Sequence, residues 1–224
     1  HVLTPDRTNE TLLIYEDVPQ NVFWKKMNMP SQLNEYVRDA GANTWKIIDF
    51  DGDSKFDLMC GIMSRKGNSL LFFRNSGTNE SPVYEKPENI LTGKGNAFKS
   101  GLNLEVALAD FDNDGDLDYV VTGRFTHLVY FENKGTPQKH QFSDGDTISY
   151  KGEKIQLVSR SGSNTKLRAI DFNHDGLVDI IAGDEDGKVS FLKNTGKVMN
   201  GISEFLPPVF LQQEAKFVDL GALA

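Results

Sequence analysis

The sequence predicts an all-β fold, a β-propeller of four-stranded antiparallel blades with about 3.7 repeats of 61 residues in a chain of 224. Three observations carry this reading. Acidic segments begin at Asp49, Asp110 and Asp171, 61 residues apart both times, and a fixed period of this order marks a repeat architecture. Each is followed by an apolar run ending in glycine: Leu58 to Gly61, Tyr119 to Gly123 and Ile180 to Gly183. A second apolar run then closes on Asn75-Ser76-Gly77, Asn133-Lys134-Gly135 or Asn194-Thr195-Gly196, in register.

The elements follow from local chemistry. Short runs of Val, Ile, Leu, Phe and Tyr bounded by Gly, Asn and Asp read as strands. In the middle repeat one strand precedes the acidic loop (Val106 to Asp110), one follows it (Leu117 to Thr122) and a third precedes Asn-x-Gly. A fourth is expected near the Pro-x-Phe or Pro-Val-Tyr stretch of each unit. Four short strands in ~60 residues make a propeller blade with long loops. A β-sandwich also has many short strands, but matching loops at one period argue against it. Nothing of helical length shows a clear apolar stripe; Met29 to Ala40 comes closest and is weak.

The expected organisation is a partial blade of outer strands over 1–37, then blades over 38–97, 98–157 and 158–213, and the start of another over 214–224. The partial blade rests on Thr11 to Asp17 and Asn21 to Phe23, which match the second half of a unit. At this period the preceding loop would fall before residue 1 and the following one near position 232. The expectation is therefore a piece of a larger ring, for example seven-bladed, completed by the rest of the propeller or by another chain. A self-closed four-bladed ring is the alternative.

The acidic loops span 49–57, 110–118 and 171–179. Oxygen ligands at alternate positions of a tight turn can converge on one Ca²⁺, which takes six to eight oxygens at ~2.3–2.6 Å. The predicted ligands are Asp49, Asp51, Asp53, Lys55 and Asp57; Asp110, Asp112, Asp114, Asp116 and Asp118; and Asp171, Asn173, Asp175, Leu177 and Asp179. At the seventh position, Lys55, Asp116 or Leu177 would offer a carbonyl; Leu177 implies that no particular side chain is needed there. Glycine at the sixth position (Gly115, Gly176) lets the backbone fold back, but the first loop has Ser54, which makes it the weakest of the three. An EF-hand would need a bidentate Glu at position 12, where Cys60, Val121 and Ala182 stand. Turn formation alone needs no such density of carboxylates, which repel one another. About three Ca²⁺ are expected, in preference to Mg²⁺, which keeps its waters.

The Asp-x-Asp-x-Asp-Gly-x-x-Asp loop between two strands, repeated every 61 residues from about Thr11 onward, resembles the FG-GAP/VCBS repeats of integrin α-subunit propellers and secreted microbial propellers. It is nearer the VCBS kind, because the Phe-Asn/Gly-Ala-Pro signatures of the other are not literally present. The resemblance implies a calcium loop joining the two inner strands of each blade and an extracellular or periplasmic location. The family includes adhesion modules, lectins and polysaccharide lyases, so it leaves the activity open. The expected partner is a carbohydrate or an extracellular protein, with lyase action on uronic-acid glycans or a ligand-free spacer role as alternatives.

Charge and composition narrow this. The net charge of −8 argues against a nucleic-acid partner. Twelve of the 32 acidic residues are loop aspartates, so the remainder balances at +4, and three bound Ca²⁺ would bring the total to −2. One cysteine excludes an intrachain disulfide and a Cys-rich zinc site. No apolar run reaches the ~20 residues of a membrane span. The chain opens at His1 without a basic-then-apolar leader, so any signal peptide is expected to have been removed or never to have belonged to it.

Candidates for catalysis are few. His127, Tyr130 and Arg124 are the residue types a uronate β-elimination would use as base, acid and carboxylate-binding cation. Strand neighbours need not converge, and packing explains them as well. Trp24 could stack on a sugar, whereas Trp45 precedes an inner strand and is expected in the core. His174 in the third loop is expected to face solvent. Asn9-Glu10-Thr11 and Asn79-Glu80-Ser81 fit the glycosylation sequon. No Ser-His-Asp spacing, phosphate loop or dinucleotide fingerprint occurs.

Overall fold

The computed structural model describes residues 2–5, 11–15, 24–28, 44–64, 67–96, 105–122, 127–157, 165–184, 187–213 and 216–217. Among these there is no helix, and none therefore long and apolar enough to cross a membrane. The chain forms two compact units, 1–90 and 91–224.

In the first unit, β1 (Val2–Pro5), β2 (Thr11–Tyr15) and β3 (Trp24–Asn28) make an antiparallel three-stranded sheet. A four-stranded antiparallel sheet follows, in the order β4 (Thr44–Ile48), β5 (Asp57–Ser64), β6 (Gly67–Phe73), β7 (Glu88–Ile90). Ile48 pairs with Asp57, so the first acidic loop is the connection between β4 and β5. Consecutive residues Leu58, Met59 and Cys60 are all buried, as are Leu70 to Phe73. Both faces of this sheet are thus covered, which explains why its inner strands read as continuous apolar runs rather than alternating ones.

The second unit holds two such sheets. One is β8 (Val106–Ala109), β9 (Asp118–Thr122), β10 (Leu128–Phe131) and β11 (Asp146–Thr147), paired in sequence order. A small hairpin, β12 (Ser149–Tyr150) and β13 (Glu153–Lys154), follows it. The other sheet runs β14 (Lys166–Ile170), β15 (Asp179–Gly183), β16 (Val189–Leu192), then β19 (Val209–Phe210). Between the last two stands a hairpin, β17 (Asn194–Met199) and β18 (Ile202–Phe205), and β20 (Gln212–Gln213) pairs with β21 (Lys216–Phe217) beyond. One core joins the two sheets, with Val120, Leu128 and Tyr130 from one and Leu167, Ile180 and Leu192 from the other. At their rim the buried carboxylate of Glu105 takes Lys166 at 2.9 Å and Arg168 at 3.6 Å.

These three sheets are propeller-like blades. The fourth strand is where the prediction slips. In the last blade it lies at Pro-x-Phe as expected, but in the first the Pro82-Val83-Tyr84 stretch makes only an isolated bridge, Asn75 to Tyr84, and the strand is Glu88–Ile90. The middle blade repeats the shift, with a bridge from Asn133 to Phe142 before Asp146–Thr147. The intervening residues are folded back onto the Asn-x-Gly turn and are not free to extend. Met29 to Ala40, Arg124, the Trp24 side chain and the Asn9 sequon lie outside the described residues.

Candidate metal centres

The three acidic loops share one hydrogen-bond frame. The first aspartate caps the turn: Asp110 accepts the amides of Asp114 and Gly115, Asp171 those of Asp175 and Gly176, and Asp49 that of Ser54, at 3.0–3.1 Å. The fifth residue accepts the amide of the seventh, Lys55, Asp116 or Leu177, at 2.9–3.1 Å. These bonds curl each loop back on itself.

The curl requires left-handed backbone twice per loop. At the sixth position Gly115 and Gly176 have φ of 97° and 87°, and Ser54 adopts 68°, the strain expected of it. The fourth position is left-handed too, in Gly52 (74°), Asn113 (64°) and His174 (60°). Sequence inspection missed this, although glycine and asparagine there were a usable signal.

The ninth aspartate has a second task. Asp57, Asp118 and Asp179 are almost wholly buried, and each accepts the backbone amide of the Asn that opens the Asn-x-Gly turn: Asn75 at 2.8 Å, Asn133 at 2.9 Å and Asn194 at 2.8 Å. Asp57 and Asp179 spend the other oxygen on the amides of Phe50 and Phe172, and Asp118 on the Tyr130 hydroxyl at 2.5 Å. The asparagines are equally buried, and their side-chain oxygens accept the amides of Gly77, Gly135 and Gly196 at 2.9–3.1 Å. What reads in sequence as a polar turn is a clasp that locks the third strand to the acidic loop.

Two loops gather carboxylates as a metal would require. One oxygen from each of Asp49, Asp51 and Asp57 lies within 4.8 Å of the others, and so does one from each of Asp110, Asp112 and Asp114. Oxygens bound at ~2.4 Å to a common ion lie at most about 4.8 Å apart. Oδ1 of Asp49, Asp112 and Asp116 is buried without a hydrogen-bond partner, an arrangement that is costly unless something else compensates the charge. Burial first, then neighbouring aspartates, pushes the Asp116 carboxyl up to about 6, and burial pushes Asp118 up to about 7 despite the Tyr130 and Asn133 bonds. Asp112 is raised by the same causes, with Glu132 among the charges acting on it. The residues fit a divalent cation. Loop 1, expected to be the weakest, assembles a trio, whereas among the described residues loop 3 does not: Asp175 there pairs with Lys193 at 2.8 Å, which lowers its pKa.

Residues 49–121 match the family model of the FG-GAP-like repeat. The match runs from the first aspartate of loop 1 to β9, one full period and the acidic loop of the next. The matched stretch, 73 of the 224 residues, carries an FG-GAP-like repeat, and the four-stranded antiparallel sheets are propeller-like. No curated protein and no solved structure matches the chain.

Outside the acidic loops, two of the catalytic candidates, Tyr130 and His127, are placed by the structure, and Arg124 lies outside the described residues. Tyr130 is 1% exposed and its hydroxyl is committed to Asp118, with Ser203 at 3.3 Å. His127 is half-buried and bridges to Gln156 through its backbone. Trp45 and Cys60 are core residues, as expected. Asn79, the sequon residue, braces loop 1, accepting the Phe56 amide at 2.6 Å and donating to the Ser54 carbonyl at 3.1 Å.

Proposed function

We propose that the chain is a calcium-stabilised repeat segment of a secreted propeller, serving a carbohydrate-binding or adhesion role. The observation that carries the calcium reading is the pairing of converged carboxylate trios with buried, unpartnered aspartate oxygens in loops 1 and 2. Calcium would supply positive charge and hard coordination; the chain supplies a turn already curled by its own amides and clasped to the third strand. In this reading the role is structural: the loop joins the two inner strands, and the clasp transmits its order to the next strand. The binding role rests on the resemblance to adhesion modules and lectins, with the ring completed by further repeats or a second chain.

Thermal unfolding of the ion-stripped chain against added Ca²⁺ tests the calcium reading. One site filled at a hundred times its Kd stabilises by about 2.7 kcal/mol, a rise in Tm of roughly 5–11 °C for a chain of this size. An unchanged melt would refute it. A glycan array probed with the calcium-loaded chain tests the binding role, and no glycan retained over background would count against a carbohydrate.

A further inference from the structure

We propose that loop 110–118 is the tightest divalent-cation site of the chain and that Glu132 gives it this rank. The inference rests on the calcium reading above and concerns a position outside the loops: the residue just before each clasp asparagine. That residue is Arg74, Glu132 or Lys193.

In the first and third repeats it brings a cation into the loop. The Arg74 guanidinium contacts the Asp51 carboxylate, the third loop position, and Lys193 reaches Asp175, the fifth, at 2.8 Å. Lys55 adds to this in loop 1, 3.4 Å from Asp53. Loop 3 also has fewer carboxylates to offer, since Asn173 and Leu177 stand where loop 2 has Asp112 and Asp116. An incoming ion must displace or face a built-in positive charge in both.

In the middle repeat every one of these features is reversed. The strand exit that presents Arg74 and Lys193 to their loops presents a carboxylate, Glu132, at the equivalent place in the middle repeat. The loop has aspartate at all five odd positions. Asp116 is 6% exposed and its Oδ1 has no hydrogen-bond partner. The Glu132 carboxylate lies against the β17–β18 turn, where Asn200 and Gly201 have φ of 54° and 75° and a side chain at Gly201 would run into it. Lys134 lies 3.0 Å from Glu132 with its side chain 58% exposed, a surface pair of small worth.

A unit charge ~5 Å from a divalent ion changes its affinity by about tenfold even at the dielectric constant of water. The test is calorimetric Ca²⁺ titration of the ion-stripped full chain, as wild type and as E132Q, E132K and K193E, with the melting of each followed to confirm folding. The wild type is expected to show one site at least about tenfold tighter than the rest. E132Q should weaken that site by about tenfold and E132K by more, while K193E should strengthen a weaker one. Equivalent wild-type sites, or an unchanged tightest site in E132Q, overturn the proposal and leave the calcium reading standing. A wild type that binds no Ca²⁺ overturns the calcium reading itself. Should E132K fail to fold, E132Q and K193E decide alone.

Discussion

Asn194 offers the sharpest test of the clasp. Its side chain is fully buried and makes three hydrogen bonds: Nδ2 donates to the carbonyls of Phe111 at 2.8 Å and Val178 at 3.1 Å, and Oδ1 accepts the amide of Gly196 at 2.9 Å. The first of these reaches the acidic loop of the preceding repeat, so Asn194 ties two blades together. Replacing it with alanine leaves the Gly196 amide and the Phe111 and Val178 carbonyls without this partner. A buried group left unsatisfied costs about 1–3 kcal/mol. Counting three such groups near the low end, Asn194→Ala should destabilise by about 3 kcal/mol. That corresponds to a fall in Tm of roughly 6–12 °C. Asn133 is the internal comparison, since its Nδ2 points to His140 at 3.3 Å within its own repeat. Asn133→Ala breaks as many bonds, since Oδ1 also accepts the amides of Gly135 at 3.1 Å and Gln141 at 2.9 Å, and should cost a similar amount within one repeat. Denaturant unfolding at fixed Ca²⁺, followed by circular dichroism, measures both. A loss below ~1 kcal/mol for Asn194→Ala would refute the idea that the clasp spans the blades.

Three further outcomes follow from particular residues. Gly135→Ala should destabilise by about 2 kcal/mol or more, because a methyl group would run into the Lys139 carbonyl; Gly183→Ala, with open space around it, should be neutral or stabilising by ~0.5 kcal/mol, and the order of the two midpoints checks this. Ser54→Gly relieves a left-handed backbone in a polar side chain's place and should raise stability by about 1 kcal/mol, read from the chemical unfolding midpoint. Tyr130→Phe deletes the hydroxyl on Asp118 and should cost about 1.5–3 kcal/mol, visible as a lower Tm; an unchanged melt would mean that Asp118 has found another donor.

Much of this architecture was legible because the repeat announces itself three times. The period, the inner strands and the converging aspartates follow from residues whose types are dictated locally, apolar for the strands and oxygen-bearing for the loops. Even the strain at Ser54 could be anticipated, since glycine fills that place in the other two loops. The clasp was not legible, although its asparagines stood in register, because Asn-x-Gly also serves as an ordinary turn and nothing in one sequence marks a buried amide. The fourth strand was misplaced for a related reason: Val83 and Phe142 look like strand residues, but the segment is folded back on Asn75 or Asn133. The unlike characters of loops 1, 2 and 3 depended on Arg74, Glu132 and Lys193, which lie 18 to 23 residues beyond the loops' fifth and third positions and only meet them through strand pairing.

Cys60 sits in β5 between two paired strands, fully buried, with burial pushing its thiol well above the ordinary range. It is the chain's one sulfhydryl, and a thiol reagent can reach it only when that sheet opens. The wild-type chain therefore carries its own clock. The rate of Cys60 modification under native conditions reports how often the first complete blade comes apart, without an engineered probe. Followed across calcium concentrations, it separates an ion that holds this blade closed from one that acts elsewhere in the chain.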